Sequence, residues 1–142
     1  MPSSTRFPDT PAWFDRALAV PFSQEEVKVD GCNIRSLAWG EPDRRGLVFV
    51  HGGGAHAHWW THVAATFAAE FRVVAIDLSG HGDSGHRDAY ALDQWTDEVV
   101  AVAETARIDG LPIVIGHSMG GFVTIATAAR HGDRVDGVIV CD

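Results

Sequence analysis

A chain of 142 residues, with 46% hydrophobic and 21% charged residues, is long enough to close one hydrophobic core and has the balance of an ordinary globular domain. Its formal net charge of −8, with no run of Lys or Arg, argues against a nucleic-acid partner. Two cysteines, Cys32 and Cys141, are too few for a disulfide framework, and no stretch reads as a signal peptide or a membrane span; a cytoplasmic location without a membrane partner is expected.

Four prolines within residues 1–23 make residues 1–24 an extended N-terminal arm, with a short amphipathic turn at Trp13, Phe14 and Leu18 that docks on a body spanning 25–142. Residues 26–39 read as a β-hairpin, since Val27 and Val29 alternate with polar neighbours and Asp30-Gly31 suits a two-residue turn. Residues 47–50 are a fully apolar strand running into His51-Gly52-Gly53-Gly54-Ala55, a loop with almost no side-chain bulk. The spacing then predicts a helix over 58–69 with Trp59, Val63 and Phe67 on one buried stripe. A strand over 72–76 ends at Asp77, and a glycine-rich loop follows over 78–85. The next helix, over 92–107, has an apolar face of Trp95, Val99, Val102 and Ala106. Asp93, Asp97 and Glu98 lie near its start, where they suit its dipole.

Ile113, Val114 and Ile115 form another buried strand, with Pro112 at its first position, where a missing N–H does least harm. Gly116-His117-Ser118-Met119-Gly120, a G-x-S-x-G pattern, follows at once, and a small-residue helix over 122–130 is stopped by Gly132. A serine between strand and helix needs a tight bend, which small residues two before and two after it permit. That bend lifts the Ser118 hydroxyl to the N-terminal end of a helix, where negative charge is favoured, and Ser118 reads as a nucleophile. His117 points elsewhere on such a bend and reads as a packing residue. Residues 138–140 form a last buried strand before Asp142. Strands alternating with helices predict an α/β fold: a mostly parallel sheet with helices on both faces, preceded by the antiparallel hairpin. Three loops, at 51–55, 77–84 and 117–121, then meet at the sheet's C-terminal edge.

With these loops in hand, the sequence resembles the α/β-hydrolase superfamily, in its serine-nucleophile branch, over nearly all of residues 26–142. Val50-His51-Gly52-Gly53 resembles the family's strand-ending His-Gly loop. Asp77-Leu78-Ser79-Gly80-His81-Gly82-Asp83-Ser84 resembles its Asp-x-x-Gly-His-Gly-x-Ser segment, and residues 116–120 resemble its nucleophile elbow. The resemblance implies an esterase-like hydrolase in which Ser118 attacks an ester, thioester or similar carbonyl of a small-molecule substrate, without metal or cofactor. The backbone N–H groups of Gly53 and Met119 would form the oxyanion hole, with Gly54 as an alternative second donor. A serine at the elbow argues against dehalogenase or epoxide-hydrolase chemistry, which needs a carboxylate there.

The family places its acid and its histidine base after the nucleophile. Downstream of Ser118 the only histidine is His131, at a helix end, and Asp142, at the end of the last strand, reads as a structural residue. The resemblance therefore implies the N-terminal half of the fold, without cap or last strands, poorly active alone and self-associating through an exposed last strand. Two other readings exist for the same residues. Gly52-Gly53-Gly54-Ala55-His56-Ala57 satisfies a dinucleotide-binding G-x-G-x-x-A, with Asp77 near where a ribose-binding acid belongs. A non-catalytic scaffold keeping the fold is the other. His58 and His62, four apart on a helix, have zinc-compatible spacing but lack the intervening Glu of a metalloprotease.

Overall fold

The computed structural model describes residues 9–142, so the first eight residues of the predicted arm lie outside it. The order of elements is α1 (Ala12–Leu18), β1 (Ser23–Val29), β2 (Cys32–Trp39), β3 (Arg44–Val50), a 3₁₀ turn (Ala57–Trp60) and α2 (Thr61–Phe67). Then come β4 (Arg72–Ile76), α3 (Leu92–Thr105), β5 (Ile108–His117), α4 (Met119–His131), a second 3₁₀ turn (Gly132–Arg134) and β6 (Gly137–Cys141). The six strands lie in the order β1-β2-β4-β3-β5-β6; β2 is antiparallel to β1 and β4, and the other pairs are parallel. The predicted hairpin forms around Asp30 and Gly31, both at positive φ, as a primed two-residue turn requires.

The uninterrupted apolar strands are explained by burial on both faces, because alternate side chains leave a strand in opposite directions. Val48 and Val50 of β3, Val74 and Ile76 of β4 and Val114 of β5 pack with Val99, Val102 and Val123 of α3 and α4. Leu47, Phe49, Val73 and Ala75 face the other way, onto Ala57, Ala64, Ala65 and Ala68 around α2. Helix α1 docks on α2, with the rings of Trp13 and Phe14 centred 6.5 and 5.5 Å from that of His62 and Ala17 buried, while Leu18 stays exposed.

Four expectations need correction. The helix after the first glycine loop opens as a 3₁₀ turn, which rotates Trp59 out of the buried stripe and leaves it 62% exposed. Pro112 lies inside β5 rather than at its start. The strand begins at Ile108 and its pairing with β3 shifts register between Arg45 and Leu47, an irregularity that removes the need for a proline N–H. Glu98 sits in the middle of α3, fully buried, instead of in a solvated first turn. Strand β6 pairs only with β5, so Val138, Ile139 and Val140 are exposed: the burial read from the apolar run is corrected, and the exposed edge that the resemblance implied is what forms.

Candidate active site

Strand β5 ends at His117 and α4 opens at Met119, leaving Ser118 alone to make the reversal, with φ 52° and ψ −118°. Only a few per cent of non-glycine residues adopt positive φ, at a cost of order 1–3 kcal/mol. Neighbouring residues hold the bend in place. The Ser118 N–H donates to the Cys141 carbonyl of β6 at 3.0 Å, and its own carbonyl accepts from Gly121 N–H at 2.8 Å. A Cβ at Gly116 would overlap the Gly120 carbonyl and Thr124 Oγ1, and one at Gly120 would overlap the carbonyls of Val50 and His51. The bend is this tight because both flanking positions lack a side chain.

Ser118 is exposed, and its hydroxyl has no hydrogen-bond partner among the described residues. Met119, first in a 13-residue helix, has an N–H with no acceptor inside that helix. The glycine loop lies against this corner: a Cβ at Gly52 would sit 3.1 Å from His117 Nδ1 and 3.5 Å from Ser118 Cβ, and one at Gly53 would sit 3.7 Å from Met119 Sδ. Gly54, at positive φ, faces open space.

Two buried side chains fasten the loops to one another. His51 Nε2 accepts the Leu78 N–H at 3.1 Å, which puts the proton on Nδ1, where it donates to the Gly52 carbonyl at 2.8 Å. Burial pushes the pKa of His51 below its ordinary value, and the nearby His81 ring adds to this, so it stays neutral. Asp77 accepts from Ala57 N–H at 2.6 Å through Oδ1 and from Asp83 N–H at 2.9 Å through Oδ2. Both carboxylate oxygens thus hold backbone, and with only 5% of its surface exposed Asp77 is not presented to a ribose, which weakens the dinucleotide reading.

Sequence reasoning missed a second layer. Glu98 Oε2 accepts Ser79 N–H at 2.8 Å and its Oε1 accepts from Arg87 Nε and Nη2 at 3.1 and 3.0 Å. Arg87 reaches on to the carbonyls of Val29 and Asp30 in the hairpin turn. A signal for Glu98 existed: it stands three residues after Trp95 and four before Val102, on the apolar stripe of α3.

The remaining histidines lie elsewhere. His131 Nε2 is 2.8 Å from Asp97 Oδ1, at the far end of α4, roughly 20 Å of helix away from Ser118. His58 lies against Phe22, and His62 against Trp13 and Phe14. A cavity of about 640 Å³ opens at the opposite edge of the sheet beside Arg44 and Arg72. Three smaller ones surround the elbow. One, of about 240 Å³, lies between Gly52, Trp59, Val63 and His117; one, of about 230 Å³, lies along Phe122, Ile125 and Val140; one, of about 290 Å³, lies between Gly53, His81, Tyr90 and Met119. Phe122, 70% exposed, and Trp59 therefore line openings and do not pack the core.

The family model for the alpha/beta hydrolase fold matches residues 47–142. The chain belongs to this family. The α/β-hydrolase order of strand, glycine loop, strand, Asp-Gly-His loop and serine elbow is the order found here. The chain is 35% identical over 96 residues to a pimeloyl-[acyl-carrier protein] methyl ester esterase of Edwardsiella ictaluri, a match covering 68% of this chain and 35% of that protein. It is 29% identical over 119 residues to epoxide hydrolase 1 of Caenorhabditis elegans, covering 82% of this chain and 29% of the relative. Among solved structures, a bacterial membrane phospholipase A described as a virulence factor superposes with a TM-score of 0.79 at 31% identity, covering 89% of this chain and 41% of the other. The chain thus spans about a third of the length of these curated relatives. No helix among the described residues is long and apolar enough to cross a membrane.

Proposed function

We propose that this α/β-hydrolase chain carries the nucleophile half of a serine hydrolase acting on an ester or thioester. The observation that carries the reading is the positive φ of Ser118, held between two glycines whose close contacts admit no side chain. In the reaction, Ser118 Oγ forms a bond to the carbonyl carbon while the carbonyl π electrons move to oxygen. The amides of Met119 and Gly53 are the donors for that oxyanion, aided by the N-terminal end of α4. The serine proton passes to a histidine base and from it to the departing alcohol or thiol as the intermediate collapses to an acyl-enzyme. Water hydrolyses the acyl-enzyme, with the same base taking its proton and returning it to Ser118 Oγ. A histidine base and its orienting acid come, in this proposal, from polypeptide outside this chain, laid against β6. The hydroxyl at position 118 argues against epoxide opening, which needs a carboxylate nucleophile.

The test is covalent labelling. A fluorophosphonate should add one phosphonyl group to Ser118, slowly because no base is present, and Ser118→Ala should reduce the labelling at least tenfold. Modification of the variant at the wild-type rate, or an unreactive wild type with intact circular dichroism, returns the chain to the scaffold reading.

A further inference from the structure

The cavity of about 640 Å³ beside Arg44 and Arg72 is not used by the chemistry above. Strand β3 runs from Arg44 at the cavity to Val50 at the glycine loop, which sets the two ends roughly 20 Å apart. Much of the wall is apolar: Val20, Pro21 and Phe22 from the link between α1 and β1, and Ala65, Ala68 and Ala69 from α2 and its end. The charged residues of the lining are Arg44, Arg72 and Glu41, the last of them exposed.

Arg72 sets the chemistry of this cavity. Its side chain is 8% exposed, and two of its nitrogens are held: Nε donates to the Ala106 carbonyl and Nη1 to that of Gly40, both at 2.9 Å. Nη2 makes no hydrogen bond among the described residues. One carboxylate comes near it, Glu25 Oε1 at 3.7 Å, but that group is half-exposed and already accepts from Ser23 Oγ at 2.7 Å. A guanidinium taken out of water ordinarily has its fork matched by an anion, and here the fork is open. Arg44 is arranged alike. Its Nη1 donates to the carbonyls of Ala68 and Ala69 at 3.2 and 2.7 Å, while its Nε and Nη2 hydrogen-bond nothing among the described residues. Backbone carbonyls thus hold both guanidiniums in place, so an arriving anion does not have to order them.

We infer that this cavity binds a small organic monoanion, a carboxylate carried on an apolar body. The carboxylate takes the open nitrogens of Arg72 and Arg44, and the apolar body lies against Phe22 and the alanines of α2. Glu25 and Glu41 offset the two cations, which disfavours a doubly charged phosphate more than a singly charged carboxylate. Nothing in the inference depends on Ser118.

The test is ligand-detected NMR titration of the full chain with 3-phenylpropionate, its uncharged amide and phenyl phosphate. The carboxylate should bind saturably, at least tenfold more tightly than the amide and more tightly than the phosphate. Arg72 itself is left in place, because its contacts tie β4 to Gly40 and Ala106. Arg44→Met should weaken the carboxylate at least tenfold, and Glu25→Gln, which removes the internal rival, should tighten it at least twofold. Ala69→Trp narrows the cavity from an exposed position and should weaken the carboxylate at least fivefold; it decides the matter if Arg44→Met does not fold. No saturation, equal affinity for acid and amide, tighter binding of the phosphate, or an affinity that any folded variant leaves unmoved overturns the assignment. Fluorophosphonate labelling of Ser118 should proceed at the same rate with the carboxylate present. A slowed reaction places the probe at the elbow and overturns the site, while leaving the hydrolase reading intact.

Discussion

Ser118 stores strain that its neighbours enforce. Glycine adopts the same backbone without penalty, so Ser118→Gly should raise stability by about 1 kcal/mol while removing the reactive hydroxyl. Urea denaturation measures the gain; a variant less stable than wild type would show that the serine hydroxyl, not the bend, dominates the position. His51 makes an opposite contribution. Its folded pKa lies below the ordinary 6.5, so above that pH both folded and unfolded forms are neutral and stability is at its full value. As pH falls below about 6.5 the unfolded chain binds a proton that the folded one resists, and stability declines. The urea midpoint of the wild type should fall between pH 7.5 and 5.5, and His51→Asn, though less stable throughout, should show a smaller fall.

At the scale of elements, the loop from Ser79 to Tyr90 is held by an ion pair with almost no solvent contact. Side-chain exposures are 9% for Arg87 and 0% for Glu98, so removing the cation leaves a buried carboxylate without a counter-charge, held only by the Ser79 N–H. Arg87→Met should therefore cost about 3 kcal/mol, read as a lower thermal midpoint, and Arg87→Met with Glu98→Leu should recover part of it. A double variant no better than the single would show that Arg87 acts mainly through the hairpin carbonyls. The alternation of strands and helices, the Asp30-Gly31 turn and the Ser118 bend were legible in the sequence because each depends on residues within a few positions of one another. The Arg87–Glu98 pair was not, since it requires the path of the intervening loop. Trp59 was misplaced for a related reason: a single 3₁₀ turn before α2 shifts the phase of the stripe, and periodicity cannot register that shift.

For the whole molecule, the decisive feature is the uncovered side of the sheet. Val138, Ile139 and Val140 present apolar side chains beside unpaired backbone, with Phe122 and Ile125 of α4 exposed nearby. The isolated chain should associate with itself at micromolar concentration, and Ile139→Lys should shift light scattering towards monomer; a wild type that stays monomeric would contradict this. The apolar run alone does not show the exposure of this strand, because it looks the same whether or not a neighbour lies alongside; the exposure was implied instead by the resemblance, which left the strand without its neighbour. The carbonyl of Cys141, in that marginal strand, is also the group that anchors the amide of Ser118. A polypeptide settling beside β6 would therefore stiffen the very peptide plane from which the nucleophile hangs. Shielding the greasy border and aiming the hydroxyl would then be one mechanical event.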